Sequence, residues 1–305
     1  MSFSHHSHSG QFCAHAQNTL EEMVQAAIAR KMKVFALTEH MPREEQDLYT
    51  EEIAKGLSGS GLDRQFERYF HEAKRLQKHY AGSIEILVGF ETEWIQQHYE
   101  QKILQLLAKY RFDMFVGSIH HVRGIPIDID RRQYEAARMI AGGTEELLFE
   151  AYFDEQLEML QALKPPIVGH FDVIRLWCDE PTAPLTALRS ACAKAIRNLK
   201  FIAEYGGLIE LNSAALRKGH SEAYPSKQLC HEFARLGGKF TLSDDAHCIE
   251  HIGQNYDQVL EAMAEMGIAT LSVLRRDFKT FDGRFPNVGV DTISVNGLLE
   301  NWLGS

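Results

Sequence analysis

No stretch of the chain approaches about 18 consecutive apolar residues, and the opening MSFSHHSHSG has neither a basic nor an apolar leader segment. Membrane spanning and secretion are therefore both disfavoured. Basic residues are outnumbered: 32 Lys and Arg against 42 Asp and Glu leave a net charge of −10, which argues against general affinity for nucleic acid or an anionic membrane. Cysteine is sparse and odd in number. Cys13, Cys178, Cys192, Cys230 and Cys248 show no C-x-x-C spacing, so no disulfide framework is expected and the chain reads as cytoplasmic. No linker rich in Pro or Ser, no low-complexity stretch and no internal repeat divides the sequence, and no Gly-rich dinucleotide or phosphate-loop fingerprint follows an early strand.

What is present is alternation. The 305 residues allow one large domain or two small ones. Thr19-Leu20-Glu21-Glu22 has the form of a capping box, and Leu20, Met23, Val24, Ala27 and Ile28 at helical spacing predict a helix to about residue 31. Strands are predicted at 33–38, 85–90, 113–117, 166–169, 208–211, 239–242 and 269–273. Helices are predicted near 62–80, 96–110, 144–163, 186–204, 226–236 and 255–266, with a loop at 123–143. Strands separated by helices of this length imply a parallel sheet. With nothing to divide the chain, one α/β domain over residues 1–305, a closed (β/α) barrel, fits better than a doubly wound open sheet.

Nearly every predicted strand ends in metal-binding residue types: His6-Ser7-His8, Glu39-His40, Glu91, His120-His121, His170 with Asp172, Glu210 with Asn212, and Asp244-Asp245-Ala246-His247. In a parallel barrel the carboxyl ends of all strands open on one face, so these side chains would converge. Alternation in the H-x-H pair puts His6 and His8 on one side of an extended segment. Imidazole with carboxylate suits Zn, Fe or Mn. The seven histidines, with the carboxylates Glu91 and Asp245, at strand ends are poorly explained as unrelated loop polarity, because a dense polar cluster without partners costs stability.

The segments HSHSGQFCAHAQNTLEE, FALTEHMPR, VGFETEW, GSIHHVRGIPID, VGHFDVI, ELNSAALRK with YPS, and LSDDAH resemble the polymerase and histidinol phosphatase (PHP) superfamily. More narrowly, they are similar to the histidinol-phosphate phosphatases of fungi and Gram-positive bacteria. The resemblance covers about residues 5–253. It implies a distorted (β/α)7 TIM-like barrel with three divalent ions (Zn, Fe or Mn) at the carboxyl-terminal face of the strands. One ion would be held by His6, His8, Glu91 and Asp245, a second by Glu91, His120 and His170, and a third by His15, His40 and His247. His5 is left as a flanking residue and Asp244 as a residue behind the ligands.

The implied activity is hydrolysis of L-histidinol phosphate, a small phosphate ester, by a metal-bridged hydroxide, with Asp245, His247 and Arg217 as catalytic residues. Arg217, Arg43 and Lys218 follow strand-end motifs and are candidates to bind phosphate. Three divalent ions would lift the formal charge from −10 to −4 and concentrate positive charge at the mouth. Glu93, Asp128 and Asp172 are candidates for the substrate's cationic groups or for the leaving-group proton, with loop ordering an equal reading for the two aspartates. Trp94 and Trp177 read more readily as packing than as pocket walls, and Cys13 reads as pocket lining. The loop at 124–128 and the segment 43–60 are candidates to close over substrate. The alternatives are another phosphoesterase or nuclease of the superfamily, or a metal-binding barrel without catalysis.

Overall fold

The computed structural model describes residues 2–276 and 288–303. In chain order the elements are β1 (Ser2–Ser4), α1 (Leu20–Ala29), β2 (Met32–Leu37), α2 (Thr50–Ala54), α3 (Gly59–His79), β3 (Glu85–Val88), α4 (Tyr99–Lys109), β4 (Val116–Gly117), β5 (His121–Val122), β6 (Ile125–Pro126), α5 (Arg131–Ile140) and α6 (Glu145–Leu163). They continue with β7 (Ile167–Val168), α7 (Arg189–Tyr205), β8 (Leu208–Asn212), α8 (Ala214–Arg217), α9 (Lys227–Arg235), β9 (Lys239–Ser243), α10 (Tyr256–Glu265), β10 (Thr270–Arg276), β11 (Val288–Ser294) and α11 (Val295–Leu303). The chain is a mixed α/β protein.

Two all-parallel sheets carry the architecture, one ordered β1-β2-β3 and the other β4-β7-β8-β9. They are joined at both edges. Thr92 N–H donates to Val116 O at 2.9 Å and Val116 N–H to Phe90 O at 2.9 Å on one side. On the other, His5 N–H donates to Leu242 O at 3.3 Å, and a parallel bridge pairs Ser7 with Ala246. Strands buried on both faces are apolar along their length: Val34, Phe35, Ala36 and Leu37 of β2 and Ile86, Leu87 and Val88 of β3 are all at most 1% exposed.

The helices begin where side chains satisfy the first free N–H groups. Thr19 Oγ1 accepts from Glu22 N at 3.2 Å while the Glu22 carboxylate accepts from Thr19 N at 2.7 Å, the reciprocal box read from the sequence. α3 starts earlier than predicted because Ser58 caps it, accepting from Gly61 N at 3.1 Å, and the glycines at 59 and 61 mask that start.

Two expectations are corrected. The predicted loop at 123–143 contains α5, capped by Asp130, which accepts from Gln133 N at 2.8 Å; only Tyr134 and Ala137 of that helix are buried, too narrow a stripe to show as periodicity. The strand predicted at 269–273 exists as part of β10, but it pairs antiparallel with β11. The seventh parallel strand is β1, at the start of the chain. β10 instead lies against the amino-terminal ends of the parallel strands, where the carboxylate of Glu85, at the start of β3, accepts from Arg275 Nε at 2.7 Å and from the Arg276 backbone N–H.

Candidate metal centre

Every parallel strand but β8 delivers a metal-type side chain from the residues just past its carboxyl end. β1 leads to His6 and His8, β2 to His40, β3 to Glu91 and Glu93, β4 to His120, β7 to His170, and β9 to Asp245 and His247. β7 can approach β4 closely only because residue 169 is glycine: a Cβ there would stand 2.3 Å from Ser118 Oγ and 2.8 Å from Val116 Cγ1.

Glu91 is the hub. Its Oε1 lies 3.2 Å from His6 Nε2, 3.2 Å from His120 Nε2 and 3.0 Å from His170 Nε2. Its Oε2 lies 3.3 Å from His8 Nε2 and 3.0 Å from His40 Nδ1. Asp245 Oδ1 adds contacts of 3.7 Å to His6 Nε2 and 3.4 Å to His8 Nε2. Asp245 itself adopts a left-handed backbone, φ +48°, which aspartate tolerates better than most residues. The His120 and His170 Nε2 atoms face each other at 3.2 Å.

Four sets of donor atoms converge to within 4.8 Å of one another: His6, His8 and Glu91; Glu91, His120 and His170; His40, Glu93 and His120; and His8, Cys13, His40 and His247. His6 Nε2 and both ring nitrogens of His8 and of His40 are buried without a hydrogen-bond partner, although carboxylate oxygens stand close by. Buried polar atoms without partners are rare and expensive. A divalent cation fits this arrangement, because it accepts imidazole lone pairs and carboxylate charge together.

The electrostatics point the same way. Burial disfavours the charged form of His6, but Glu91, Glu210 and Asp245 more than offset it and raise its pKa well above the ordinary value. His8 and His120 are likewise burdened by burial, yet each is lifted to about 10, His120 chiefly by Glu93 and Glu91. Burial would raise Glu91 and Asp245, and the surrounding histidines instead hold both well below the usual carboxylate range. The site thus carries concentrated negative charge that attracts positive charge of any form.

A second tier of groups fixes the ligands. Glu210, fully buried in β8, has its oxygens 3.1 and 3.2 Å from His6 Nδ1 and accepts from Ser243 Oγ at 2.5 Å and from His170 N at 2.7 Å. Holding Nδ1 this way turns the His6 Nε2 toward Glu91. Glu93 does the same for His120, with Oε2 3.0 Å from Nδ1. Glu39 is engaged by Ser9 N at 2.8 Å and Ser9 Oγ at 2.5 Å beside His8. His5, by contrast, accepts from Leu274 N at 3.2 Å on Nε2 and has Nδ1 2.7 Å from Thr241 Oγ1, and burial lowers its pKa to about 4. It is a neutral structural residue. Asp244 accepts from Ser4 Oγ at 2.8 Å and Gly253 N at 2.6 Å, behind the ligands.

A cavity of about 440 Å³ opens over the cluster, lined among others by His15, His40, Tyr49, Glu91, Asp128, Arg217, Lys218, Asp245, His247 and His251. Arg217 is fixed at its wall, donating from Nη1 to Asp244 O at 3.1 Å and from Nη2 to Asp245 O at 3.0 Å. Arg43 does not line this cavity: its guanidinium is 2% exposed, stacked 3.9 Å over the Tyr49 ring and paired with Glu52 and with Glu93 at 2.8 Å, so it holds Glu93. Glu93 is consumed by the same pairings. Asp172 is also turned away, 2.6 Å from Arg175 Nε and accepting from Ser226 N at 3.0 Å. Trp94 is buried core and Trp177 packs partly buried against it. The predicted loop at 124–128 takes in β6 and runs on to Asp128 at the cavity wall, and the segment 43–60 contributes Tyr49 and Glu51 to the wall.

A family model described as the PHP domain matches residues 4–214. The chain belongs to the PHP domain family. Curated relatives of this PHP chain include a Schizosaccharomyces pombe protein named "Probable histidinol-phosphatase", 38% identical over 96% of this chain and 96% of that one. A Saccharomyces cerevisiae "Histidinol-phosphatase" is 33% identical over 86% of this chain and 88% of its own length. Among solved structures, a histidinol phosphate phosphatase from Lactococcus lactis, crystallised with zinc, L-histidinol and phosphate, superposes with a TM-score of 0.67 at 20% identity, covering 90% of this chain and 96% of that one. At that identity the likeness establishes the shared PHP fold.

Proposed function

We propose that the protein is a metal-dependent phosphomonoesterase that hydrolyses L-histidinol phosphate to L-histidinol and phosphate, as its relatives' names describe for them. The observation that carries this reading is Glu91, in contact with five histidines at the floor of a cavity walled by Arg217 and Lys218. The seven parallel strands, bonded at both edges, support reading the chain as one distorted (β/α)7 barrel domain. Its carboxyl-terminal face would hold three divalent ions, Zn, Fe or Mn: one on His6, His8, Glu91 and Asp245, one on Glu91, His120 and His170, and one at His15, His40 and His247. All five cysteines are free, in keeping with a reducing, cytoplasmic setting.

Bound divalent ions would supply the two things phosphate-ester hydrolysis most lacks, an acidified water and neutralisation of phosphoryl charge, toward a barrier reduction of about 20 kcal/mol or more. The chain's own residues do the rest. Arg217, anchored through two carbonyl contacts, presents a fixed guanidinium beside Asp245, and Lys218 adds a mobile charge next to it; together they orient a phosphate dianion over the cluster. His247 donates Nδ1–H to Asp245 O at 2.9 Å, which leaves Nε2 as its lone-pair donor. Asp128 and Tyr49, across the cavity, face the histidinol portion.

The test is phosphate release from L-histidinol phosphate near neutral pH by protein loaded with Mn²⁺, beside a sample stripped by chelator. Rapid release lost on chelation is expected. Absence of release in folded, metal-loaded protein contradicts the assignment.

A further inference from the structure

One side chain on the wall of the cavity comes from outside the strand-end motifs. His251 closes a single 3₁₀ turn, Ile249–His251, in the loop that follows β9, and it lines the same cavity as Arg217 and Lys218. Its ring is oriented by the backbone: His247 N–H donates to His251 Nδ1 at 3.3 Å. A ring nitrogen that accepts from an amide keeps its lone pair, so the imidazole is neutral and its proton sits on Nε2. That Nε2 has no partner among the described residues. We infer that His251 is a further phosphate-binding residue, an uncharged N–H donor that completes the recognition of the phosphoryl group by Arg217 and Lys218. The inference rests on the phosphatase reading above and extends it to a residue that no motif marks.

The loop carrying His251 is fixed before any ligand arrives. His251 N–H donates to Cys248 O at 3.1 Å, and Gln254 N–H donates to His251 O at 3.0 Å, so both backbone groups of His251 are used within the loop. Ile249 N–H donates to Asn18 Oδ1 at 3.1 Å, which ties the turn to the segment before α1. Residue 253 must be glycine, since its φ is +69° and a Cβ there would stand 2.4 Å from the Trp302 ring.

Asp244 links this loop to the guanidinium. Its Oδ2 accepts from Gly253 N–H at 2.6 Å, while its backbone carbonyl accepts from Arg217 Nη1 at 3.1 Å. One residue behind the ligands therefore sets both the arginine and the loop that presents the imidazole. Donors held in place beforehand lose little freedom on binding, which is what orientation of a phosphate requires. An uncharged donor also adds direction at the phosphoryl oxygens without a third fixed positive charge, which would hold product phosphate as firmly as the ester.

Glutamine and asparagine at position 251 separate this role from support of the loop. Glutamine sets an amide N–H near the place of Nε2 and leaves Nδ1 without a replacement; asparagine sets a carbonyl near the place of Nδ1 and leaves Nε2 without one. In the manganese-loaded full chain, affinity for inorganic phosphate by calorimetry is expected to fall about 10-fold in His251→Ala and in His251→Asn, the worth of a hydrogen bond to a charged group. KM for L-histidinol phosphate should rise in parallel, the loss falling on KM more than on kcat, with bound manganese unchanged by elemental analysis. His251→Gln should recover most of the affinity. Recovery by His251→Asn but not by His251→Gln would make His251 a support for the His247 amide and overturn the inference. Phosphate affinity equal in wild type and all three variants, or loss of manganese together with loss of phosphate, overturns it as well. The predicted pattern of phosphate binding without release of phosphate from L-histidinol phosphate would uphold His251 and contradict the substrate assignment alone.

Discussion

His5 and His6 are neighbours of the same residue type with opposite fates. Alternation along an extended segment turns them to opposite sides. His5 meets Thr241 on one ring nitrogen and the Leu274 amide on the other, so the protein itself satisfies it. His6 has one nitrogen held by Glu210 and the other aimed, without a hydrogen bond, at Glu91 and Asp245. The same contrast separates the two ends of the parallel strands. At the amino-terminal end, Asp113 accepts from Gln77 Nε2 at 2.6 Å and Val88 N at 2.8 Å, and Glu85 pairs with Arg275. At the carboxyl end, buried nitrogens are left over. Polar burial alone does not mark a ligand; imidazole nitrogens buried without a hydrogen bond and gathered around shared carboxylates do.

The sharpest way to break the contrast is at the hub. Glu91→Gln keeps the shape and removes the shared charge, and kcat/KM for L-histidinol phosphate is expected to fall by about 10³-fold, with loss of bound metal by elemental analysis. A variant with full metal content and activity would remove Glu91 from the account.

His5→Ala tests the other end. It strands the Leu274 N–H and leaves a cavity, for an expected loss of about 3 kcal/mol in denaturant unfolding with metal content intact. The same residue gives a pH dependence. Its folded pKa is depressed to about 4 from 6.5, so between those values the unfolded chain binds the extra proton and stability rises with pH. His5 therefore costs about 3 kcal/mol as pH falls from 6.5 to 4 and nothing above 6.5. Comparing wild type with His5→Ala across that window isolates it; equal slopes would contradict the neutral role.

A smaller effect is expected at Glu210, which touches His6 only on the nitrogen facing away from Glu91. Glu210→Gln should weaken metal binding about 10–100-fold, read by competition with a chelating dye. Smallest is Lys218→Ala, which should raise KM several-fold, about 1 kcal/mol, without altering kcat or metal content. A change in kcat instead would give Lys218 a part in the chemical step.

Much of this was legible in the chain. Strand-end positions of His6, His8, His40, Glu91, His120, His170, Asp245 and His247 follow from alternation of short apolar runs with helices, and the Thr19 box marks a helix start by its residues alone. What was not legible depends on who meets whom. Glu210 is a residue within β8, and only the fold shows its carboxylate against His6. Arg43 follows a strand-end motif like Arg217, but Glu52 and Glu93 capture it. The strand at 269–273 has the right composition, and its antiparallel partner lies beyond the stretch its own pattern describes. α5 escaped because only two of its side chains are buried while the apolar Met139 and Ile140 are exposed, which blurs the pattern.

The most direct measurement is the number of divalent ions retained per chain after desalting, in wild type, His5→Ala and His6→Ala. Three ions in the wild type and in His5→Ala, with fewer in His6→Ala, is the predicted result. Equal retention in both variants, or no ions in the wild type, would contradict the claim that the unpartnered nitrogens at the carboxyl ends of the strands are metal ligands.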